Sequence, residues 1–284
     1  MRRLGLVIVH VLLLGVLLSA CTDEPAPTAD ERLLKFVPAD TPYAFVSSRP
    51  MPEPIRARLG DHAALQLAAQ RAALVQLRSD MAGAEDSPSV EREAEQALDL
   101  LDAILAEFEG RETAAQLREL GVEPLPLAVY FGIGILPAAR VEITDPVAFN
   151  AMLDRIEKRF GTQAQRGELG GQPYRRIDLG SVDAVVAVTP TELLAGLLPD
   201  SLFDRDLPLL LGQEPPAASL ADSQTMLELS ARHGFSGYGE GFIRLETLMA
   251  ILMGRAAVSY THLRAHETAS FISYAVCCLN CGGG

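Results

Sequence analysis

Between Cys21 and Cys277 this chain of 284 residues contains no cysteine. That stretch can form no disulfide and offers no thiolate, either as nucleophile or as metal ligand. Lysine is almost as scarce. Lys35 and Lys158 are the only two, and arginine supplies the remaining positive charge. Positive charge is itself in deficit, with 24 basic against 37 acidic residues and a net charge of −13. An acidic body repels phosphate backbones and acidic head groups, which argues against a nucleic-acid partner. Two glycine-containing stretches, Gly132-Ile-Gly134 and Gly237-Tyr-Gly-Glu-Gly241, lack the following Lys-Ser/Thr of a phosphate loop. Isolated strand glycines of this kind more often mark bulges.

What is present is concentrated first at the N-terminus. Arg2 and Arg3 precede an apolar run from Leu4 to Leu18, broken only by glycines and His10, and Leu18-Ser-Ala-Cys21 follows. Such a run is too short and wrongly flanked for a spanning helix and reads as a signal peptide over residues 1–20. Its last four residues resemble the lipobox of bacterial lipoproteins. The resemblance implies cleavage before Cys21, diacylglycerol on the Cys21 thiol and acylation of its amine. Each buried acyl methylene contributes about 0.8 kcal/mol, so several chains anchor firmly. Thr22 rather than Asp follows the cysteine, which by resemblance to enterobacterial lipoproteins points to the outer membrane. Residues 21–32, polar and proline-containing, read as a lipidated tether that spaces the body from the membrane.

The other end departs from everything before it. Val258-Ser-Tyr-Thr-His-Leu-Arg-Ala-His-Glu-Thr268 and Ile272-Ser-Tyr-Ala-Val-Cys-Cys-Leu279 occur in order and are followed by terminal glycines. Cys278 and Cys281 form a C-x-x-C pair beside Cys277, and His262 and His266 stand four apart, which is ordinary metal-site or redox spacing. The two stretches, however, resemble a translated reading frame of the adapters used in short-read sequencing libraries. Cys277 departs from that frame, which has Phe there. The resemblance implies that residues 258–284 are not native, and it removes these cysteines and histidines from the chemistry. It also implies that the native chain continues past the apolar helical segment Glu246–Gly254, so that the body, residues 33–257, is truncated. Without the leader and tail the basic count falls to 21 and the acidic count to 36, a net of −15.

The body reads as α+β. Tyr43–Ser47 is a first strand, bounded by prolines. Ile55 to about Met81 is a helix with Leu59, Leu67, Leu74 and Leu77 as its apolar positions. Ser87-Pro88 opens a second helix striped by Leu98, Leu101, Ile104, Leu105 and Phe108. Its acidic residues Glu91, Glu93, Glu95, Asp99 and Asp102 belong to the solvated faces. Together the two helices predict an inserted antiparallel hairpin over about residues 53–120. Leu127–Ile133 and Ala139–Ile143 read as strands around Leu136-Pro137. Asp145-Pro146 caps a helix to Phe160, buried through Phe149, Leu153, Ile156 and Phe160. Gly170-Gly171 turns into strand Tyr174–Asp178, Ala184–Val188 is a buried strand, and Leu202–Leu211 and Ser219–Arg232 read as helices. Phe235–Leu245 returns as a strand. Strands both follow one another and alternate with helices, so a mixed or antiparallel sheet layered with helices fits better than a parallel βαβ array. The opening Leu-Lys-Phe-Val-Pro-Ala-Asp-Thr-Pro-Tyr43, with the later Asp-Pro helix, Gly-Gly hairpin and Ser-Leu-Ala-Asp-Ser segment, resembles uncharacterised Gram-negative envelope lipoproteins. That resemblance implies periplasmic exposure and an α+β fold, and brings no catalytic residues.

The expected role is therefore a lipid-anchored cell-envelope protein, facing the periplasm, with a noncatalytic binding or structural function. Its partners are the membrane, through the anchor, and an envelope protein or lipid ligand. No cofactor, metal or catalytic residue is assigned. Tyr130, Phe131, Tyr238 and Phe242 are candidates for a ligand groove, with core packing as the default for each. The rival is a periplasmic serine hydrolase. Gly234-Phe-Ser-Gly-Tyr238 approaches a nucleophile elbow around Ser236, with His233 or His62 as base, but Tyr238 stands where the last glycine belongs. Asp204-Arg-Asp206 is a possible cation pair, although carboxylates at a helix end are usually only solvated. A third reading, a lipid or lipoprotein carrier, requires an apolar cavity of ligand size.

Overall fold

The structure is a computed structural model that describes residues 31–81, 88–161, 163–234 and 237–252. Cys21, Ser236 and the adapter-like tail lie outside the described residues, as do residues 1–30 and 253–257. Helix α1 (Glu31–Leu34) leads to β1 (Tyr43–Ser47). Helices α2 (Glu53–Met81) and α3 (Pro88–Phe108) follow, then the short α4 (Ala114–Arg118). The first two form the expected hairpin. Arg71 on α2 pairs with Asp102 on α3 and with Glu109 just beyond its end, while Leu74 packs with Leu98, Leu101 and Leu105. Partner numbers fall as residue numbers rise, so the helices run antiparallel. Helix α4 is fixed by a capping box between Thr113 and Gln116.

Strands β2 (Ala128–Ile133) and β3 (Leu136–Glu142) come next, followed by α5 (Pro146–Phe160). Asp145 Oδ1 accepts hydrogen bonds from the Val147 and Ala148 amides at 2.9 and 3.0 Å, and Gly161 closes the helix in the left-handed region. Asp145→Ala is expected to cost about 1–2 kcal/mol, measured by urea unfolding. The chain then folds β4 (Gln165–Leu169), β5 (Gln172–Asp178), β6 (Val182–Val188) and β7 (Glu192–Pro199) as a meander. Helices α6 (Phe203–Leu210) and α7 (Thr225–His233), strand β8 (Glu240–Ile243) and helix α8 (Leu245–Leu252) complete the described residues.

The strands form one sheet in the order β4-β5-β6-β7-β3-β2-β1-β8, with every neighbouring pair antiparallel. The protein is α+β. Although α2, α3 and α4 intervene between β1 and β2, those strands are direct neighbours, so the hairpin is an insertion at one end of the sheet.

One sheet face carries Val46, Phe131, Ala138, Val185, Leu194 and Leu198 against Leu34, Phe203, Leu207, Leu210, Met226 and Leu229. Burial of this apolar area at roughly 25 cal/mol per Å² is the main force holding α1, α6 and α7 to the sheet. A second cluster joins α3 and α5 through Ala103, Phe149, Met152 and Ile156, and reaches the sheet at Val188 and Leu193.

Four expectations need correction. Pro137 is not in a turn: it pairs with Gly132 in β3, and the turn is Gly134-Ile135. β3 meets β7 only from Ala138 onward, so Pro137 interrupts no ladder on that side. Strands β4 and β7 were absent from the sequence reading. The helix expected from Ser219 begins at Thr225, because Ala218–Leu220 is held in an extended pairing with Val37–Ala39 through Ala39 N–H to Ala218 O and Leu220 N–H to Val37 O. Of the strand expected over Phe235–Leu245, the described residues 237–239 are not extended, the strand covers Glu240–Ile243, and helix α8 starts at Leu245.

Candidate functional site

The structure separates the sequence candidates. His233 is exposed at the end of α7 and His62 is exposed on α2, on elements that belong to different layers. Phe131 and Phe242 are core residues, Tyr238 is buried, and Tyr130 alone of the four aromatics lies half-buried on the opposite sheet face. They form no common groove. Gly132 cannot serve as a phosphate loop, because its N–H already donates to Thr41 Oγ1 at 3.0 Å. The Gly237 N–H likewise donates to Glu240 Oε2, so a carboxylate occupies the place an anion would take. Asp206 is buried and held by Arg205, whereas Asp204 is exposed, so the two do not converge on a cation. Among the described residues no group of three His, Cys, Asp or Glu is placed to hold a metal.

The opening that carries the family resemblance proves to be a clamp. Phe36 lies against the Arg140 guanidinium at 4.5 Å, and Val37 is fully buried. Thr41 Oγ1 bonds to the Tyr43 and Gly132 carbonyls at 2.9 Å each. Arg244 Nη1 donates to the Ala39 and Thr41 carbonyls at 2.7 and 2.8 Å. These bonds tie the edge strand β8 to the entrance of β1.

Buried charge shows two anomalies that sequence patterns do not announce. Among the described residues five carboxylates are buried: Glu107, Glu157, Asp183, Asp206 and Glu240. The first four pair with Arg155, Arg166 and Arg175, Arg176, and Arg205 respectively. Glu240 meets no arginine among the described residues, where its one hydrogen bond is from the Gly237 N–H, at 3.1 Å. Burial pushes its carboxyl up to about 7, against the opposing pull of that hydrogen bond. Ser48, whose Oγ is buried without a partner among the described residues, follows β1, and its N–H donates to Gly237 O at 2.9 Å. The second anomaly is Arg140, 6% exposed. Its Nη2 donates to Glu192 at 2.7 Å, while Nε and Nη1 are buried without partners among the described residues. Burial lowers its pKa, opposed by Glu192.

The largest unexplained feature is the sheet face opposite the main core. The register aligns Arg175, Val186, Ala195, Ala139, Tyr130 and Phe45 in one row across it. Ile177, Ala184 and Leu197 form the adjacent row. Strands β6 and β7 are therefore apolar on both faces, the pattern of strands covered on both sides. Yet these outer positions are only half-buried, since the α3–α5 cluster reaches the sheet at Val188 and Leu193. At its edge Arg175 is fixed by Asn150 and Asp154. Burial raises the pKa of the Tyr130 phenol. Two clefts among the described residues lie elsewhere: a small one between Arg32 and Glu192, and an open one beside Pro38. Neither is an enclosed apolar cavity of the kind a lipid carrier needs.

No protein-family model, curated protein or solved structure matches this chain.

Proposed function

We infer that this is a lipid-anchored protein of the cell envelope that binds an apolar partner, an envelope protein or a lipid, without catalysing a reaction. The anchor is Cys21, the body faces the periplasm, and the outer membrane is the favoured location. The observation that carries the binding role is the apolar row Val186, Ala195, Ala139, Tyr130 and Phe45, only partly covered on the sheet face opposite the main core. Contiguous apolar surface on a water-facing sheet is costly to leave open, and such surface commonly marks an interaction site. Four of the five buried carboxylates are held by arginine, an arrangement that supports structure more readily than acid–base chemistry.

Two substitutions test the anchor and the face separately. Cys21→Ser is expected to move the protein from the membrane pellet to the soluble periplasmic fraction. In that soluble form, a dye that fluoresces on apolar surfaces should bind saturably, and Ala195→Asp should abolish the signal while unfolding stays cooperative. Retention of Cys21→Ser in the pellet would refute the anchor; undiminished dye binding by folded Ala195→Asp would refute the face.

A further inference from the structure

A cleft of about 550 Å³ opens between the Pro38–Asp40 turn, helix α6 and the segment Glu214–Ala218. That volume lies in the usual range for small-ligand sites, roughly 300–1,000 Å³. Its walls are held in place before any ligand arrives. Ala39 N–H donates to Ala218 O at 2.9 Å, Leu220 N–H to Val37 O at 2.7 Å, and Arg244 to Ala39 O at 2.7 Å. Pro38, Pro215 and Pro216 line it, each with φ restricted by its ring. A ligand entering such a cleft is spared much of the cost of ordering its walls.

The lining also selects the sign of the ligand. The three prolines have no N–H to offer, and the Ala39 amide is already used. Arg205, the one cationic side chain at the mouth, is held by both oxygens of Asp206 at 2.8 and 3.1 Å, which largely cancels its charge. Asp40 and Glu214 are exposed there, and no described side chain engages either carboxylate. The surface between them is supplied by proline, alanine and Leu209. An anion would meet two like charges. A cation with an apolar body meets both of its complements.

We propose that this cleft binds an aliphatic diamine, with its methylene spine on the proline and alanine surface and its ammonium groups at Asp40 and Glu214. The chain's net charge of −13 raises the local concentration of such cations. The site is independent of the half-exposed sheet face and of the lipid anchor.

The test is calorimetric titration of 1,5-diaminopentane into the full chain in a nonionic detergent. The expected result is saturable binding at one site at millimolar concentration. Asp40→Asn and Glu214→Gln each remove one exposed ion pair without changing shape, and each should weaken binding up to about five-fold. Ala217→Phe fills the cleft at unchanged charge and should abolish saturable binding. Glu168→Gln, an exposed acid on the edge strand β4, should have no effect. Absence of saturable heat from the unsubstituted chain overturns the proposal. So does equal weakening by Glu168→Gln, or unchanged binding by Ala217→Phe, since either would mean a diffuse counter-ion effect.

Discussion

Replacing Glu240 by Gln is expected to stabilise the protein by about 3 kcal/mol above roughly pH 8, and to change little below about pH 4. The carboxyl titrates near 7 when folded, against an ordinary value of 4.5. Below 4.5 both the folded and the unfolded chain hold the proton, and burial of the neutral acid carries no ionic penalty. Between 4.5 and about 7 the unfolded chain releases it while the folded chain retains it. Stability therefore falls with rising pH, by about 1.4 kcal/mol per pH unit, and levels off once both states are ionised. Gln retains an oxygen for the Gly237 N–H but cannot ionise, so its unfolding curve lacks this fall. Urea denaturation of both chains across that range gives a difference curve in which other titrating groups largely cancel. Parallel pH profiles for the two chains would show that Glu240 reaches water.

Gly121→Ala is expected to cost more than about 3 kcal/mol, while Gly110→Ala costs about 1 kcal/mol. Both glycines have positive φ, +77° and +74°, so the left-handed strain is common to the pair. Their surroundings differ. A Cβ on Gly110 would meet nothing within 4 Å, whereas one on Gly121 would lie 2.2 Å from Asp145 O and 3.0 Å from Phe149 N. Those two atoms form the first hydrogen bond of helix α5, at 3.0 Å. The methyl group would have to displace that turn, and with it Phe149 from its core cluster. Equal unfolding midpoints for the two variants would mean that α5 does not approach Gly121 this closely.

The legible elements are those whose signals are local. Asp145-Pro146 and the apolar periodicity through Phe149 and Ile156 define α5 locally, although packing buries Met152 and Glu157 more deeply than the expected Leu153 and Phe160. Gly170 and Gly171, at φ 57° and 82°, supply the positive angles of a tight hairpin turn, and that connection is also visible in sequence. β7 escaped because Glu-Leu-Leu-Ala-Gly-Leu-Leu-Pro is built largely of helix formers, and only pairing with β6 and β3 holds it extended. β4, Gln-Arg-Gly-Glu-Leu, is a polar edge strand with no alternation to detect.

The candidate sites divide along the same line. The sequence by itself determined the α+β class, the inserted helical hairpin, the excess of acid and the lipobox at Cys21 as a candidate anchor. The first three follow from composition or from periodicity within a short window, and the anchor is what the resemblance of Leu18–Cys21 to a lipobox implies. Tertiary structure alone decided that, among the described residues, Glu240 lacks the arginine given to the other buried carboxylates and Arg140 is left with unpaired donors. It also decided that Phe131 faces the covered side of the sheet while Tyr130 faces the open side. Strand periodicity tells which residues alternate, but which face receives a helix layer depends on where distant segments pack.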